Sequence, residues 1–276
     1  MAWLELSFAI ADEDMADLLA DALGEVGFDS FETSEAMLKA YVDENLFNKD
    51  AVHEILKQPF FRGVEWISTL PMPERNWNQV WESNYDPVII NERCRVRAPF
   101  HAPDNAYEYD LLIEPRMSFG TAHHETTSLV MKLMFTFSPA GKRVLDMGCG
   151  TAILAILAMK MGAKSAVAID IDQWAYENAI DNVAINDVNH VSVELGDVRL
   201  LACRTFDYML ANINRNILLA DMKHYAQCLL SGGYLIISGF YEDDLPAIQA
   251  EAASNCLNYV QHISCNRWVA AVYYKR

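Results

Sequence analysis

Residues 144–152 read VLDMGCGTA, and the rest of the chain is organised around this stretch. The residue pattern predicts a short apolar strand that ends at Asp146, followed by a turn that carries Gly148 and Gly150. The run ILAILAMKM at 153–161 is typical of a helix. Glycines in such a turn let the backbone approach a ligand closely, and a helix N-terminus presents free N–H groups to an anionic part of it. The stretch therefore predicts a ligand-binding strand, turn and helix.

The residues after this turn distinguish two kinds of nucleotide site. A dinucleotide-binding loop has the pattern G-x-G-x-x-G, but Ile153 stands where the third glycine would be, so a pyrophosphate cradle fits poorly. Residues 164–169 predict a second apolar strand, which ends in Asp170. An acid at that position can accept hydrogen bonds from ribose hydroxyls. Together these features resemble the nucleoside-binding half of a class I S-adenosylmethionine methyltransferase.

Length and composition indicate the broad class of protein. A chain of 276 residues with 52% hydrophobic residues can form one large domain or two modest ones. Its six cysteines never occur as C-x-x-C, which argues against a zinc site, and reduced thiols are expected. The N-terminal stretch turns acidic by Asp12, unlike a secretory signal, and no apolar run approaches the length of a membrane span. We therefore expect a cytoplasmic enzyme with no membrane partner.

Negative charge is concentrated at the start of the chain. The whole sequence carries a net charge of −17, and residues 1–50 hold 13 acidic residues against two lysines, which gives −11 for that segment. Such a surface would repel nucleic acid and attract a basic protein. The alternative is a solvated surface that serves only solubility. On either reading, no direct contact with nucleic acid is expected.

Residues 1–72 predict a small α+β domain. The predicted elements follow the ferredoxin-like order β-α-β-β-α-β. Its strands are expected at 3–10, 26–33, 36–43 and 63–70, and its helices at 13–23 and 49–57. Residues 73–98 are expected to form a joint between domains, where Trp77 and Trp81 share a helix face. We expect these tryptophans to pack the joint rather than to bind substrate.

Residues 99–276 predict an α/β domain with a mainly parallel sheet. After the strands that end at Asp146 and Asp170, residues 191–195 and 206–210 predict the third and fourth strands. Residues 217–230 then predict a helix, and residues 234–238 predict the fifth strand of the sheet. Two final strands at 257–264 and 268–274 predict an antiparallel hairpin. A terminal hairpin added to a parallel sheet is typical of methyltransferases, whereas Rossmann dehydrogenases usually lack it.

A loop precedes the first helix of this domain. Residues 114–127 read EPRMSFGTAHHETT, and Thr126 and Thr127 are placed to cap the helix or to reach a ligand. The adjacent His123 and His124 have no third ligand at a usable spacing, so no metal is expected.

Four segments resemble one family. They read FGTAHHETTSL at 119–129, VLDMGCGTAILAI at 144–156, AIDIDQWAYENAIDN at 168–182 and ANI at 211–213. Together they are similar to the PrmA family, whose members methylate protein eleven of the large ribosomal subunit. The resemblance implies a class I methyltransferase with a doubly wound sheet and a C-terminal hairpin. It also implies transfer of methyl groups from S-adenosylmethionine to lysine side chains, to an N-terminal α-amino group, or to both. The negative charge of residues 1–50 predicts that the N-terminal domain recognises the basic ribosomal protein.

The resemblance also implies the roles of particular residues. Asp170 would hold the ribose, and Asn212 would contact the cofactor and orient the acceptor amine as the catalytic residue. Asp197 would contact the adenine amine, although a plain turn explains it equally well. The remaining cofactor contacts are expected at Gly148, Gly150 and Thr127, with Phe119 and Thr121 in a loop that covers the methionine end.

The chain departs from the family pattern at three places. Ala122 and Ala152 stand where the family has glycine, and Asn214-Arg215-Asn216 follows the ANI segment where leucine usually continues it. A methyl group is small, so cofactor binding is expected to survive the first two changes. The third change bears on the choice of substrate.

Three other functions compete with this interpretation. A nucleic-acid amine methyltransferase would have Asn-Pro-Pro-aromatic where this chain has Asn212-Ile213-Asn214-Arg215, and the acidic N-terminus disfavours it further. A nicotinamide dehydrogenase is disfavoured by Ile153 and the terminal hairpin. A non-catalytic module that binds S-adenosylmethionine and docks on the ribosome is poorly excluded by sequence.

Overall fold

The computed structural model describes residues 3–34, 36–72, 85–115, 120 and 122–276. The chain divides into two compact units, Met1–Tyr85 and Asp86–Arg276. Trp77 and Trp81 of the predicted joint lie outside the described residues, as do Phe119 and Thr121. Among the described helices, none is long and apolar enough to cross a membrane.

The first unit contains one antiparallel sheet with two helices. Its elements are β1 (Trp3–Ala9), α1 (Glu13–Gly24), β2 (Phe28–Ser34), β3 (Met37–Asp43), α2 (Lys49–Leu56) and β4 (Glu65–Met72). The sheet order is β2-β3-β1-β4, which is the arrangement of the predicted ferredoxin-like domain. Leu6, Leu19 and Val52 lie in its fully buried core, because one sheet face and both helices contribute apolar side chains to the same cluster. Asp12 and Asn48 cap the two helices through their side chains.

The second unit begins with a small sheet and continues into a doubly wound one. Its small sheet contains β5 (Val88–Ile90), β6 (Cys94–Arg97) and β7 (Tyr109–Leu112). β5 and β6 belong to this unit, although their residues fall within the predicted joint. The larger part comprises α3 (Glu125–Thr136), β8 (Arg143–Met147), α4 (Ile153–Lys160), β9 (Ser165–Asp170), α5 (Gln173–Ile185), β10 (Val191–Leu195), β11 (Phe206–Asn212), α6 (Arg215–Cys228), β12 (Leu229–Tyr241), α7 (Leu245–Ser254), β13 (Leu257–Cys265) and β14 (Trp268–Lys275).

The large sheet has the strand order β10-β9-β8-β11-β12-β14-β13 in the described chain. Its first five strands are parallel, and β14 pairs antiparallel with both β12 and β13, so the predicted terminal hairpin is present. Successive side chains point to opposite faces: Leu210 joins one apolar cluster and Met209 the other. Both faces are therefore buried, as a parallel sheet requires. The strand order reverses beside β8, and this is where ligands bind in open α/β sheets.

Two predicted boundaries in this unit are wrong. β8 ends at Met147, so Asp146 lies inside the strand and is buried rather than placed at its end. The helix predicted over 217–230 ends at Cys228, and Leu229 already begins β12 by pairing with Phe206 of β11. Leu229 is apolar and buried, and a buried apolar residue fits the end of a helix or the start of a strand equally well.

Candidate functional site

A pocket of about 1050 Å³ opens at the carboxyl ends of the central parallel strands. Its lining includes five of the residues predicted to bind the cofactor, namely Gly148, Gly150, Asp170, Asp197 and Asn212. The pocket lies where β8, β9, β10 and β11 end, so residues far apart in sequence meet there because parallel strands end at one edge. Its volume suits a nucleoside-sized ligand together with an approaching side chain.

The glycine turn is attached to the end of β9. The N–H groups of Gly148 and Cys149 both donate to the carbonyl of Ile169, at 2.8 and 3.0 Å. Gly148 has a φ of 68°, and a Cβ there would overlap Cγ2 of Ile213. Glycine is needed at position 148 for its left-handed backbone and for close packing against Ile213, the residue after β11, in addition to any approach by a ligand.

Two alanines, at positions where the family resemblance predicts glycine, have left-handed backbones. Ala122 has a φ of 65° and Ala152 a φ of 60°, and both are buried. A non-glycine residue in that region is strained by about 1 kcal/mol or more. Each alanine therefore adds backbone strain, and its methyl group also occupies space that a glycine would leave open.

Asp170 is held in place by the backbone around it. Its Oδ2 accepts from the N–H of Gly150 at 2.8 Å, and its Oδ1 accepts from the N–H of Asp172 at 3.0 Å. Asp172 in turn caps α5 by accepting from Ala175. The carboxylate of Asp170 is thus preoriented at the pocket, and each oxygen keeps a further lone pair for a hydroxyl donor.

Asn212 is the last residue of β11 and lines the pocket. Its Nδ2 donates to Oγ1 of Thr127 at 3.2 Å, which orients the amide. Its Oδ1 is buried and has no hydrogen-bond partner among the described residues. An unpaired buried acceptor costs about 1–3 kcal/mol, so this oxygen is suited to a donor that arrives with a ligand.

Thr127 therefore contacts Asn212 instead of lining the pocket itself. Of the two roles predicted for Thr126 and Thr127, capping of α3 is wrong, whereas Thr126 does line the pocket, where a ligand would lie. His124 is the cap, and its Nδ1 accepts from the N–H of Thr126 at 3.3 Å. A histidine ring can accept this bond as an aspartate would, but sequence reasoning favours threonine because hydroxyl caps are far commoner.

Asp197 lines the pocket, but Arg199 already holds its carboxylate. The guanidinium Nη2 lies 2.7 Å from Oδ2, and this hydrogen-bonded ion pair lowers the pKa of Asp197. A second pocket acid, Asp221 on α6, was not predicted. Tyr225 donates to it at 3.3 Å, and burial raises the pKa of its carboxyl group. No sequence motif surrounds Asp221, and only its position on the helix brings it to the pocket.

The charges and hydrogen-bond acceptors of the pocket favour a cationic nucleoside over a dinucleotide. Asp170, Asp172, Glu177, Asp197 and Asp221 line the pocket, and its described lining contains no lysine or arginine. A pyrophosphate would be repelled by this set, whereas a sulfonium or ammonium group would be attracted. The carboxylate of Asp170 and the partnerless oxygen of Asn212 supply acceptors for hydroxyl and amine donors. These residues fit S-adenosylmethionine.

The aromatic rings of Trp268 and His124 line the pocket, although neither residue is among the predicted site residues. Trp268 lies 4.1 Å from Tyr241 and 4.9 Å from His124 between ring centroids. Asn212 lines the same pocket. His123 contacts the carbonyl of Asp86 at 3.1 Å, so the adjacent histidines have different partners.

Asp146 is buried beneath the glycine turn. Its Oδ2 accepts from the N–H of Ala155 at 3.0 Å, while Oδ1 has no partner among the described residues. Burial in this apolar surrounding raises the pKa of Asp146 to about 8. The folded protein therefore favours the protonated acid at neutral pH.

We expect Asp146 to make stability depend on pH. Its folded pKa lies above the unfolded value of about 4, so its favourable contribution is complete below pH 4 and is lost as pH rises toward 8. Between pH 5 and 7, the free energy of unfolding of the wild type should fall by roughly 1 kcal/mol per pH unit relative to that of Asp146→Asn. Thermal melts of both proteins at pH 5, 6 and 7 measure this difference. Parallel curves of Tm against pH would contradict it.

Comparison with known proteins agrees with this geometry. A profile of the family described as "Ribosomal protein L11 methyltransferase (PrmA)" matches residues 4–276. A ribosomal protein L11 methyltransferase of Bacteroides fragilis is 44% identical over 275 residues, covering 98% of each chain. One of Porphyromonas gingivalis is 46% identical over 261 residues, covering 94% of this chain and 90% of the relative.

A solved structure agrees with the fold. The ribosomal protein L11 methylase of Lactobacillus delbrueckii subsp. bulgaricus has a TM-score of 0.65 and 26% identity, covering 70% of this chain and 100% of that one. These comparisons confirm the predicted family, the class I methyltransferase fold and the S-adenosylmethionine cofactor. The chain belongs to the ribosomal protein L11 methyltransferase (PrmA) family.

Proposed function

We propose that this protein transfers methyl groups from S-adenosylmethionine to amines of ribosomal protein L11, on lysine side chains, the N-terminal α-amino group, or both. The observation that carries the proposal is that Asn212 lines the pocket while its buried Oδ1 has no hydrogen-bond partner in the described part of the chain. Family membership supplies the substrate, because the relatives in Bacteroides fragilis and Porphyromonas gingivalis are named for it.

The residues of the pocket divide into two groups under this proposal. Asp170 holds the ribose hydroxyls, and the glycine turn at 148–150 lies against the nucleoside. Asn212, whose amide is oriented by Thr127, faces the methyl acceptor. When bound, S-adenosylmethionine supplies an electrophilic methyl group on its sulfonium sulfur. Phe119 and Thr121, which lie outside the described residues, remain predicted contacts to the methionine end, and Asp197 remains a predicted contact to adenine.

Asn212 positions the acceptor and does not remove its proton. Its Oδ1 accepts one N–H of a neutral amine, which directs the nitrogen lone pair toward the methyl group. At pH 7 a free lysine with a pKa near 10.4 loses its proton at a cost of roughly 4–5 kcal/mol, against about 1 kcal/mol for an α-amino group. An α-amino group is therefore the easier target. Deprotonation of a lysine depends on a lowered pKa, through desolvation by the apolar and aromatic residues that line the pocket.

Replacing Asp170 by alanine should weaken S-adenosylmethionine by roughly 10- to 100-fold, since charge-assisted hydrogen bonds contribute about 1.5–3 kcal/mol. The loss of partners for the N–H groups of Gly150 and Asp172 adds to the effect. Calorimetric titration measures it. Asp172→Asn is the matched control, because it removes the same charge from the same pocket and still caps α5. A folded Asp170→Ala protein with wild-type affinity for S-adenosylmethionine would show that Asp170 does not bind the ribose.

A comparison of acceptors tests the proposed substrate. The full-length protein is incubated with S-adenosylmethionine and either purified ribosomal protein L11 or protein-free ribosomal RNA. We expect methyl groups on the protein alone. Methylated RNA would favour the nucleic-acid alternative, and binding of S-adenosylmethionine without any transfer would favour a non-catalytic docking module.

A further inference from the structure

The mouth of the pocket carries the most exposed large apolar side chains of the second unit's described residues. Trp174 is 78% exposed and Ile171 is 73% exposed, and both line the pocket. Ile217 on α6 lines it as well, with 45% exposure. Single exposed apolar residues are ordinary on a protein surface, but a group at a cavity mouth indicates a contact with a ligand.

No interaction with the described residues accounts for the exposed position of the Trp174 side chain. It lies in the first turn of α5, two residues after the capping Asp172. Its indole makes no ring contact or hydrogen bond with the described part of the chain. By contrast, the other pocket tryptophan, Trp268, lies against two neighbouring rings. The faces of the Trp174 ring are therefore available at the pocket mouth.

The position of Trp174 associates it with the nucleoside end of the pocket. It follows Asp170 by four residues, and hydrogen bonds tie Asp170 to the turn that begins α5. The polar group around Asn212 belongs to a different strand and suits the acceptor amine. A flat aromatic base is the part of the cofactor that gains most from an indole surface.

We propose that Trp174 is a cofactor-binding residue that stacks on the adenine base of S-adenosylmethionine and covers it at the pocket mouth. This inference rests on the proposed placement of the ribose at Asp170. Stacking of a base on an aromatic side chain contributes about 1–3 kcal/mol by alanine substitution. The corresponding loss of affinity is roughly 5- to 150-fold.

Fluorescence titration of the full-length protein with S-adenosylhomocysteine tests the proposal without turnover. In the wild type, binding should change the indole emission. Trp174→Phe should abolish most of that change while affinity falls only a few-fold, because phenylalanine still offers a ring. Trp174→Ala should weaken S-adenosylhomocysteine by roughly 10-fold or more. Phe60→Ala is the matched control, since Phe60 is 76% exposed in the first unit and should leave affinity unchanged.

Fragments of the ligand identify which part Trp174 contacts. Adenosine should lose affinity in Trp174→Ala about as S-adenosylhomocysteine does, whereas methionine should not. Equal losses for both fragments, or wild-type affinity of Trp174→Ala for S-adenosylhomocysteine, would overturn the stacking role and leave the proposed function intact. A wild-type protein that binds no S-adenosylhomocysteine would overturn both.

Discussion

Replacing Asn212 by alanine is expected to lower kcat for methyl transfer by roughly 100-fold or more, while S-adenosylmethionine still binds. The amide oxygen has no hydrogen-bond partner among the described residues, and its loss leaves the acceptor amine without a fixed orientation. Misplacement of reacting atoms by about 1 Å costs on the order of 100-fold in rate. Single-turnover transfer to ribosomal protein L11 and calorimetric titration of the cofactor measure the two effects separately.

Thr127→Val provides the matched variant for this prediction. It keeps Asn212 but removes the hydroxyl that accepts from Nδ2 at 3.2 Å, so the amide can rotate. We expect an intermediate loss of kcat from this change, smaller than that of Asn212→Ala. Unaltered turnover by a folded Asn212→Ala protein that binds the cofactor would show that the amine is oriented by another group.

Removing residues 1–72 is expected to abolish methylation of ribosomal protein L11 and to leave cofactor affinity unchanged. Every pocket-lining residue lies between His124 and Trp268, inside the second unit, which has its own apolar clusters. The first unit holds none of them and carries the concentrated negative charge. We propose that this unit docks a basic protein substrate. A truncated protein that methylates L11 at the full-length rate would show that the first unit serves stability and does not dock the substrate.

A full-length variant tests the docking role without truncation. Asp14, Asp17 and Asp21 are exposed on α1 at helical spacing, and they form an acidic face on that helix. Changing all three to asparagine should weaken association with L11 and reduce its dependence on salt, because exposed charges are screened at about 10 Å in 0.1 M salt. Cofactor affinity should not change. Substrate affinity that is indifferent to salt in the wild type would show that docking is apolar.

The fold could be predicted where local pattern and burial agree. The apolar strands, the glycine turn and the terminal hairpin all have short-range signals, and the structure contains each of them. Prediction failed where the pattern was ambiguous. Leu229 is apolar and directly follows a helical run, and only its pairing with Phe206 makes it the start of β12. The strand β5 is only three residues long, too short for periodicity to reveal.

The site residues at the strand ends could be predicted from the sequence, whereas the contacts and exposure of the other site residues could not. Asp170 and Asn212 are the last residues of apolar strands, and parallel strands bring such residues to one edge. The contact between Asn212 and Thr127 joins residues 85 positions apart, so sequence spacing does not show it. Likewise, the exposure of Trp174 depends on tertiary packing, since a tryptophan in an amphipathic helix is equally suited to a core.

Mapping the methyl groups on ribosomal protein L11 tests the central claim most directly. The full-length enzyme, purified L11 and S-adenosylmethionine are incubated together, and tandem mass spectrometry of the digested product locates each added methyl group. The account predicts modification of lysine Nζ atoms, of the N-terminal α-amino group, or of both, and predicts that Asn212→Ala reduces the occupancy of every such site. Methyl groups on oxygen or amide nitrogen, or an L11 that gains none with cofactor bound to the enzyme, would contradict it.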